Sequence, residues 1–164
     1  MEVLGLENKN FMTKITASQI KQLRKETGAG VMDVRQALVD SDGDPESAKK
    51  ILKQKGLEKA AQKEERTTAA GLIETYIHSD GRIGSMIYLA CETDFVARTD
   101  DFKILAKELT MQVAAMDPKN IDELVKQEYI RDPEKTIKEL IAEVIAKTGE
   151  NIQVRKLARF ALGD

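Results

Sequence analysis

Asp80-Gly81 separates two runs, residues 71–79 and 83–91, that are rich in Ile, Tyr, Leu and Met. Asp-Gly between such runs is the strongest short-range signal for a β-hairpin. It commits the second part of the chain to a sheet. A further strand-like segment lies late, at residues 151–162. The hairpin does not alternate cleanly. Ile73 and Ile77 fall on one face, Leu72 and Tyr76 on the other; Ile87 and Leu89 likewise oppose Met86 and Tyr88. A sheet with one wet face alternates apolar and polar residues, so both faces are expected to be partly covered. Helices of the same chain can cover one. The other calls for a partner, either a second copy or a different protein.

Two helical patterns separate the hairpin from the late strand. Phe102, Leu105, Ala106, Leu109, Val113 and Met116 recur at helical spacing within residues 100–116, and Pro118 ends that run. Ile137, Leu140, Ile141, Val144 and Ile145 do the same within 133–148; Asp132-Pro133 is expected to open that helix and Gly149 to close it. Glu143 and Lys147 are spaced for an i,i+4 pair. Residues 69–164 therefore read as an α+β core: a small antiparallel sheet packed with helices on one side.

The beginning of the chain is different. Thr16 and Gln19 are spaced as a capping box, with Ile15 and Ile20 as the hydrophobic staple and Gly28 as the stop. A second helix is expected from Val31 to Asp40, with Met32 or Val34 joining Ala37 and Leu38 on its inner face. A third has Asp44 as cap, Pro45 at its first position and Gly56 beyond its end. Three short amphipathic helices can close one small core, so residues 12–56 read as a three-helix bundle. Residues 57–68 are polar and helix-prone, which suits a helical linker. Residues 1–11 lack a basic start and a long apolar stretch, and read as an extension or an expression remnant ahead of a natural start at Met12.

Charge and chemistry exclude several function classes. The 26 basic and 28 acidic side chains leave a net charge of −2, which argues against a basic nucleic-acid binder. Residues 12–66 carry 12 basic and 9 acidic side chains, but no aromatics interleave them as a stacking surface requires. No apolar run approaches the roughly 20 residues of a membrane span, and the simplest compartment is the cytoplasm. A single Cys and a single His leave no zinc-cluster spacing. Phosphate-binding glycine motifs are missing as well, so no cofactor is called for. Glu92, Asp94, Asp100 and Asp101 form an acidic cluster, but at a strand-to-helix junction, where carboxylates cap helices. Cys91 reads as a small buried hydrophobe. Thr93-Asp94-Phe95-Val96 is the odd feature: an aromatic directly after a strand. Spacing alone favours a cap followed by a core Phe. The alternative is an apolar wedge beside a carboxylate on a rigid corner.

Three segments carry a family resemblance. Leu23-Arg24-Lys25-Glu26-Thr27-Gly28-Ala29-Gly30-Val31-Met32-Asp33 resembles the opening signature of translation elongation factor Ts, Glu92-Thr93-Asp94-Phe95-Val96-Ala97-Arg98 its second, and Ile145-Ala146-Lys147-Thr148-Gly149-Glu150-Asn151-Ile152 a third. All three occur in order, over nearly the whole chain from Met12 onward. The resemblance implies a guanine-nucleotide exchange factor for elongation factor Tu, not an enzyme, with a head like a ubiquitin-associated domain. It implies that Thr93, Asp94, Phe95 and Val96 intrude beside the partner's Mg²⁺ site. Arg24, Gly28, Val31 and Met32 would grip the partner's nucleotide-binding domain, in both its GDP-bound and nucleotide-free forms. The core sheet would hold a second domain of the partner. Longer members have two related half-cores and a helical-hairpin insertion; this chain has one unit and no insertion, so a homodimer through the sheet would supply the other half. Rival readings are a ubiquitin-binding adaptor, a small hydrolase using Glu92, Asp94 or Asp101, and a plain dimerisation module. The loop Thr27-Gly28-Ala29-Gly30 lacks the aromatic an adaptor needs, and the hydrolase lacks a nucleophile or oxyanion donors.

Overall fold

A computed structural model describes residues 15–163. The expectations for residues 1–11 and for Met12 lie outside the described residues. The chain is α+β and divides into two compact units between Leu52 and Lys53.

The first unit contains α1 (Ala17–Thr27), α2 (Val31–Asp40) and the start of α3 (Pro45–Ala61). Local chemistry sets the ends. Thr16 Oγ1 accepts the Gln19 backbone N–H at 3.2 Å, and Gln19 Oε1 accepts the Thr16 N–H at 2.9 Å, which completes the capping box. Gly28 closes α1 at φ 67°, a left-handed conformation in which a Cβ would be strained. The side chain of Asp44 accepts the Ser47 N–H at 2.8 Å at the start of α3. Leu23, Val34, Ala37, Leu38, Ala48 and Leu52 form the core, with Ile15, Ile20 and Ile51 packed against it. Val34, not Met32, takes the inner position on α2; Met32 is exposed.

The expected stop at Gly56 is not where α3 ends. The helix runs through that glycine to Ala61. A mid-helix Gly costs about 1 kcal/mol relative to Ala, and the helix continues past it to place Ala60, partly buried, against the core of the second unit.

The second unit is built on β1 (Ala70–Ile77), β2 (Ile83–Cys91) and β5 (Ile152–Ala161), an antiparallel sheet in the order β1-β2-β5. The expected hairpin forms, with Leu72 opposite Leu89 and Ile77 opposite Gly84. A bulge in β5 lies opposite Tyr88 and Leu89 and leaves Arg155 as the extra residue; its guanidinium donates to Thr68 Oγ1 at 2.6 Å. Between β2 and β5 come α4 (Asp94–Ala97), α5 (Asp100–Met116), α6 (Ile121–Lys126), β3 (Glu128–Tyr129), β4 (Asp132–Thr136) and α7 (Ile137–Thr148). Ile87, Leu89 and Val154 face these helices and share a core with Phe102, Leu105, Leu109, Ile141 and Ile145. The opposite face is apolar and open: Ile73 is 66% exposed and Phe160 77%, with Ile77 and Met86 beside them. Among the described residues no helix is long and apolar enough to cross a membrane.

Two readings of the α7 region need correction. Asp132-Pro133 does not open the helix; those residues form β4, paired with β3. Thr136 is the true cap, in a capping box with Glu139, a Thr-x-x-Glu spacing present in the sequence. Pro133 lies on a strand of a two-stranded ribbon, where it costs little pairing. Glu143 and Lys147 do not pair with each other. Glu143 reaches Lys135 at 2.7 Å and Lys147 reaches Asp101 at 3.4 Å, because both point at neighbouring elements.

Candidate functional site: an aromatic corner after the second strand

The chain leaves β2 at Cys91 and turns into the single helical turn α4 within two residues. Four residues cannot sustain a helix alone, so the ends decide its pose. At the front, Thr93 is extended (φ −130°, ψ 153°), and its Oγ1 accepts the Val96 N–H at 3.4 Å. Its carbonyl accepts the Ala97 N–H at 3.2 Å and the Cys91 thiol at 3.2 Å. At the back, Thr99 Oγ1 donates to the Val96 carbonyl at 2.7 Å and then caps α5 by accepting the Phe102 N–H. Val96 and Ala97 are buried in the main core.

Anchored in this way, the turn pushes its second residue outward. Phe95 is 83% exposed. The favoured reading of the spacing, a cap followed by a core Phe, is therefore wrong at the Phe: the cap is there, but Val96 takes the core position. Asp94 is exposed beside the ring. Arg98 and Thr99 line a shallow cleft next to it. A large, freely accessible ring on a fixed corner is costly to leave in water, and such exposure is informative where it is not scattered at random.

Three of the four carboxylates of the acidic cluster, Glu92, Asp100 and Asp101, take structural roles. Glu92 Oε1 accepts the Asn151 N–H at 2.6 Å and lies 3.6 Å from Arg66. Asp100 and Asp101 occupy the first turn of α5, where the helix dipole favours them. Among the described residues no group of three or more His, Cys, Asp and Glu side chains could hold a metal. Burial, with the nearby Glu150 charge, pushes the Cys91 thiol up to about 11, so it is protonated and inert at neutral pH. His78 is exposed beside the hairpin turn, with Nδ1 3.0 Å from the Tyr76 hydroxyl.

In the first unit, Arg24, Gly28, Val31 and Met32 are all exposed, Met32 most clearly at 69%. Val31 and Met32 form the first turn of α2, whose cap Gly30 offers no side chain. Neither of these two apolar residues belongs to the core cluster of the unit.

Comparison with known proteins decides the family. The sequence profile described as Elongation factor TS matches residues 92–164, a stretch that includes the aromatic corner. An "Elongation factor Ts" of Caldanaerobacter subterraneus is 42% identical over 195 positions, covering 92% of this chain and 98% of the relative. The chain belongs to the elongation factor Ts family. The Desulfosudis oleivorans elongation factor Ts is 38% identical, covering 93% of this chain and the whole of the relative. That of Nostoc punctiforme is 44% identical, but this chain spans only 48% of it. The alignment of 195 positions exceeds the 164 residues here, so the Caldanaerobacter elongation factor Ts carries residues within the matched span that this chain lacks. Membership places the chain among the translation elongation factors of protein biosynthesis, in the exchange-factor class.

Two functional-looking residues of the chain had no role from sequence: Glu150 and Asn151. Glu150 Oε1 accepts the Thr93 hydroxyl at 2.6 Å and Oε2 accepts the Thr93 N–H at 3.0 Å. Both sit in the third signature. Pairing Cys91 with Ile152 brings that signature beside the second, and a β2–β5 register predicted in advance would have placed them together.

Proposed function

We propose that the chain is a guanine-nucleotide exchange factor for elongation factor Tu, promoting GDP release with an Asp94–Phe95 wedge. The observation that carries this reading is the exposure of Phe95 on a corner fixed at both ends. No covalent bond is made or broken. The factor binds the nucleotide-free partner more tightly than the GDP form, and linkage makes the coupling reciprocal. A shift in nucleotide affinity of about 10⁴-fold needs about 5.5 kcal/mol of differential binding. Burying one Phe supplies about 1.5–3 kcal/mol, so the wedge needs help.

The exposed head residues Arg24, Gly28, Val31 and Met32 supply a grip on the nucleotide-binding domain, and the sheet holds a second domain. With both held, Phe95 and Asp94 enter beside the helices that position Mg²⁺, the metal loosens, and the phosphate end of GDP is freed first. Thr93 and Val96 serve as cap and anchor. In this reading residues 12–56 are a head of the ubiquitin-associated type, 57–68 the connector and 69–164 the core. The open apolar face at Ile73, Ile77, Met86 and Phe160 supports a homodimer through the sheet. The place of action is the cytoplasm, where the partner works.

The test is release of a fluorescent GDP analogue from elongation factor Tu. Wild type should accelerate it strongly, and Phe95→Ala and Asp94→Ala should accelerate it far less. A folded Phe95→Ala protein with undiminished exchange would remove the wedge.

A further inference from the structure

Every polar group of Thr93 is engaged. Its N–H and its hydroxyl both donate to the Glu150 carboxylate, at 3.0 and 2.6 Å. Its Oγ1 accepts from Val96, and its carbonyl from Ala97 and the Cys91 thiol. A hydroxyl has one hydrogen and two lone pairs. Donating that hydrogen to Glu150 turns the lone pairs toward the first turn of α4, so the carboxylate sets the Thr93 rotamer. Glu92 returns the arrangement, accepting the Asn151 N–H at 2.6 Å. Residues 92–93 and 150–151 are therefore cross-clamped by two carboxylates, although 57 positions separate Thr93 from Glu150. Phe95 stands two residues beyond the clamp, on a helix too short to hold its own direction.

We infer that Glu150 is a positioning residue for nucleotide exchange, acting through Thr93 to hold the Phe95 ring in its presented pose. The inference rests on the wedge reading of Phe95. Without the clamp the turn samples other poses, and ordering it falls on the complex with the partner. The factor then still docks, through contacts elsewhere, but displaces nucleotide less well. Charge-assisted bonds of this length are the strong ones, so Glu150→Gln, which keeps one acceptor and turns an amide toward the Thr93 N–H, should lower the maximal release rate about tenfold. The concentration needed for half-maximal effect should change by less than about threefold on the same grounds. Thr93→Val, which removes both the Glu150 bond and the cap to Val96, should act in the same direction.

The deciding experiment is GDP-analogue release from elongation factor Tu with wild type, Phe95→Ala, Glu150→Gln and the double variant, each first shown to melt cooperatively. If Glu150 acts through the ring, the double variant is no slower than Phe95→Ala alone. A further loss in the double variant means a general structural role and overturns the inference. So does a wild-type rate in Glu150→Gln, while Phe95→Ala remains slow. A wild-type rate in Phe95→Ala removes the wedge reading itself, and the inference with it. Should Glu150→Gln not fold, Glu150→Asp, which draws the carboxylate back by one methylene and leaves the Thr93 cap to Val96 in place, takes its place in the same cycle and is read in the same way.

Discussion

Asn151 is held by Glu92 and itself holds the chain ahead of β1. Its backbone N–H donates to Glu92 Oε1 at 2.6 Å, and its side-chain amide donates to the Glu64 and Arg66 carbonyls at 3.2 and 2.8 Å. The residue is 2% exposed, so water cannot replace those bonds. Gln153 also donates to Glu64 at 2.8 Å, which leaves Arg66 the more dependent on Asn151. Asn151→Ala should cost about 1–3 kcal/mol in urea unfolding. Asn151→Asp should cost more, because it turns an acceptor toward two carbonyls.

Phe95→Ala should leave stability almost untouched. The ring is in solvent and packs on nothing in the core, and surface changes of this kind stay within about 0.5 kcal/mol. Thermal melts of the variant and the wild type should overlay, in the same preparation that loses exchange. A clear drop in melting temperature would mean that the ring supports the corner and does not merely sit on it.

What was legible in the sequence was local. Thr16 with Gln19, and Asp80-Gly81, each carry their meaning within four residues, and both formed as read. Phe95 could not be read in that way. Its fate depends on Val96 winning the inward position, which is set by the core that α5 and the sheet bring to it. Pro133 misled because a proline suits both a first helical turn and a strand without ladder partners on one side; the Thr136-x-x-Glu139 box was the better signal. The Glu150–Thr93 clamp was invisible for a simpler reason: nothing in either segment reports the register of β2 on β5.

Gly71 should tolerate no side chain. Its φ of 152° lies where L-residues are rare, and an added Cβ would run into the Leu89 carbonyl oxygen and come within 2.8 Å of the Ala90 Cα, both backbone. Neither can move without breaking the β1–β2 ladder. Gly71→Ala should cost about 2–5 kcal/mol by strain plus overlap. A chemical-denaturation midpoint close to wild type would show that β1 can shift its register there.

The open face of the sheet bears on assembly. Ile77, Met86 and Phe160 lie on the side away from the helices, and Phe160 is the most exposed of them. Sedimentation velocity should find wild type as a dimer at micromolar concentration and Phe160→Lys as a monomer with unchanged secondary structure. A wild type that stays monomeric throughout would remove the homodimer and leave this face to the partner alone.

Glu139 gives a pH-dependent contribution whose sign is fixed. Burial pushes its carboxyl up, but the Thr136 N–H at 2.8 Å and Lys53 at 3.0 Å outweigh that, and it is held below the ordinary 4.5. A folded-state value below the unfolded one stabilises the fold above about pH 4.5, and the gain is lost as pH falls through the folded value. Glu139→Gln isolates the charge, because Gln serves the same capping position at Gln19 in α1. At pH 7 the variant should be less stable by about 0.5–1 kcal/mol, the worth of a partly buried pair at a helix start. Unfolding curves from pH 7 to 3.5 should show that gap constant down to about pH 5 and closing below pH 4.5. A gap that persists unchanged at pH 3.5 would mean that Glu139 contributes by shape and not by charge.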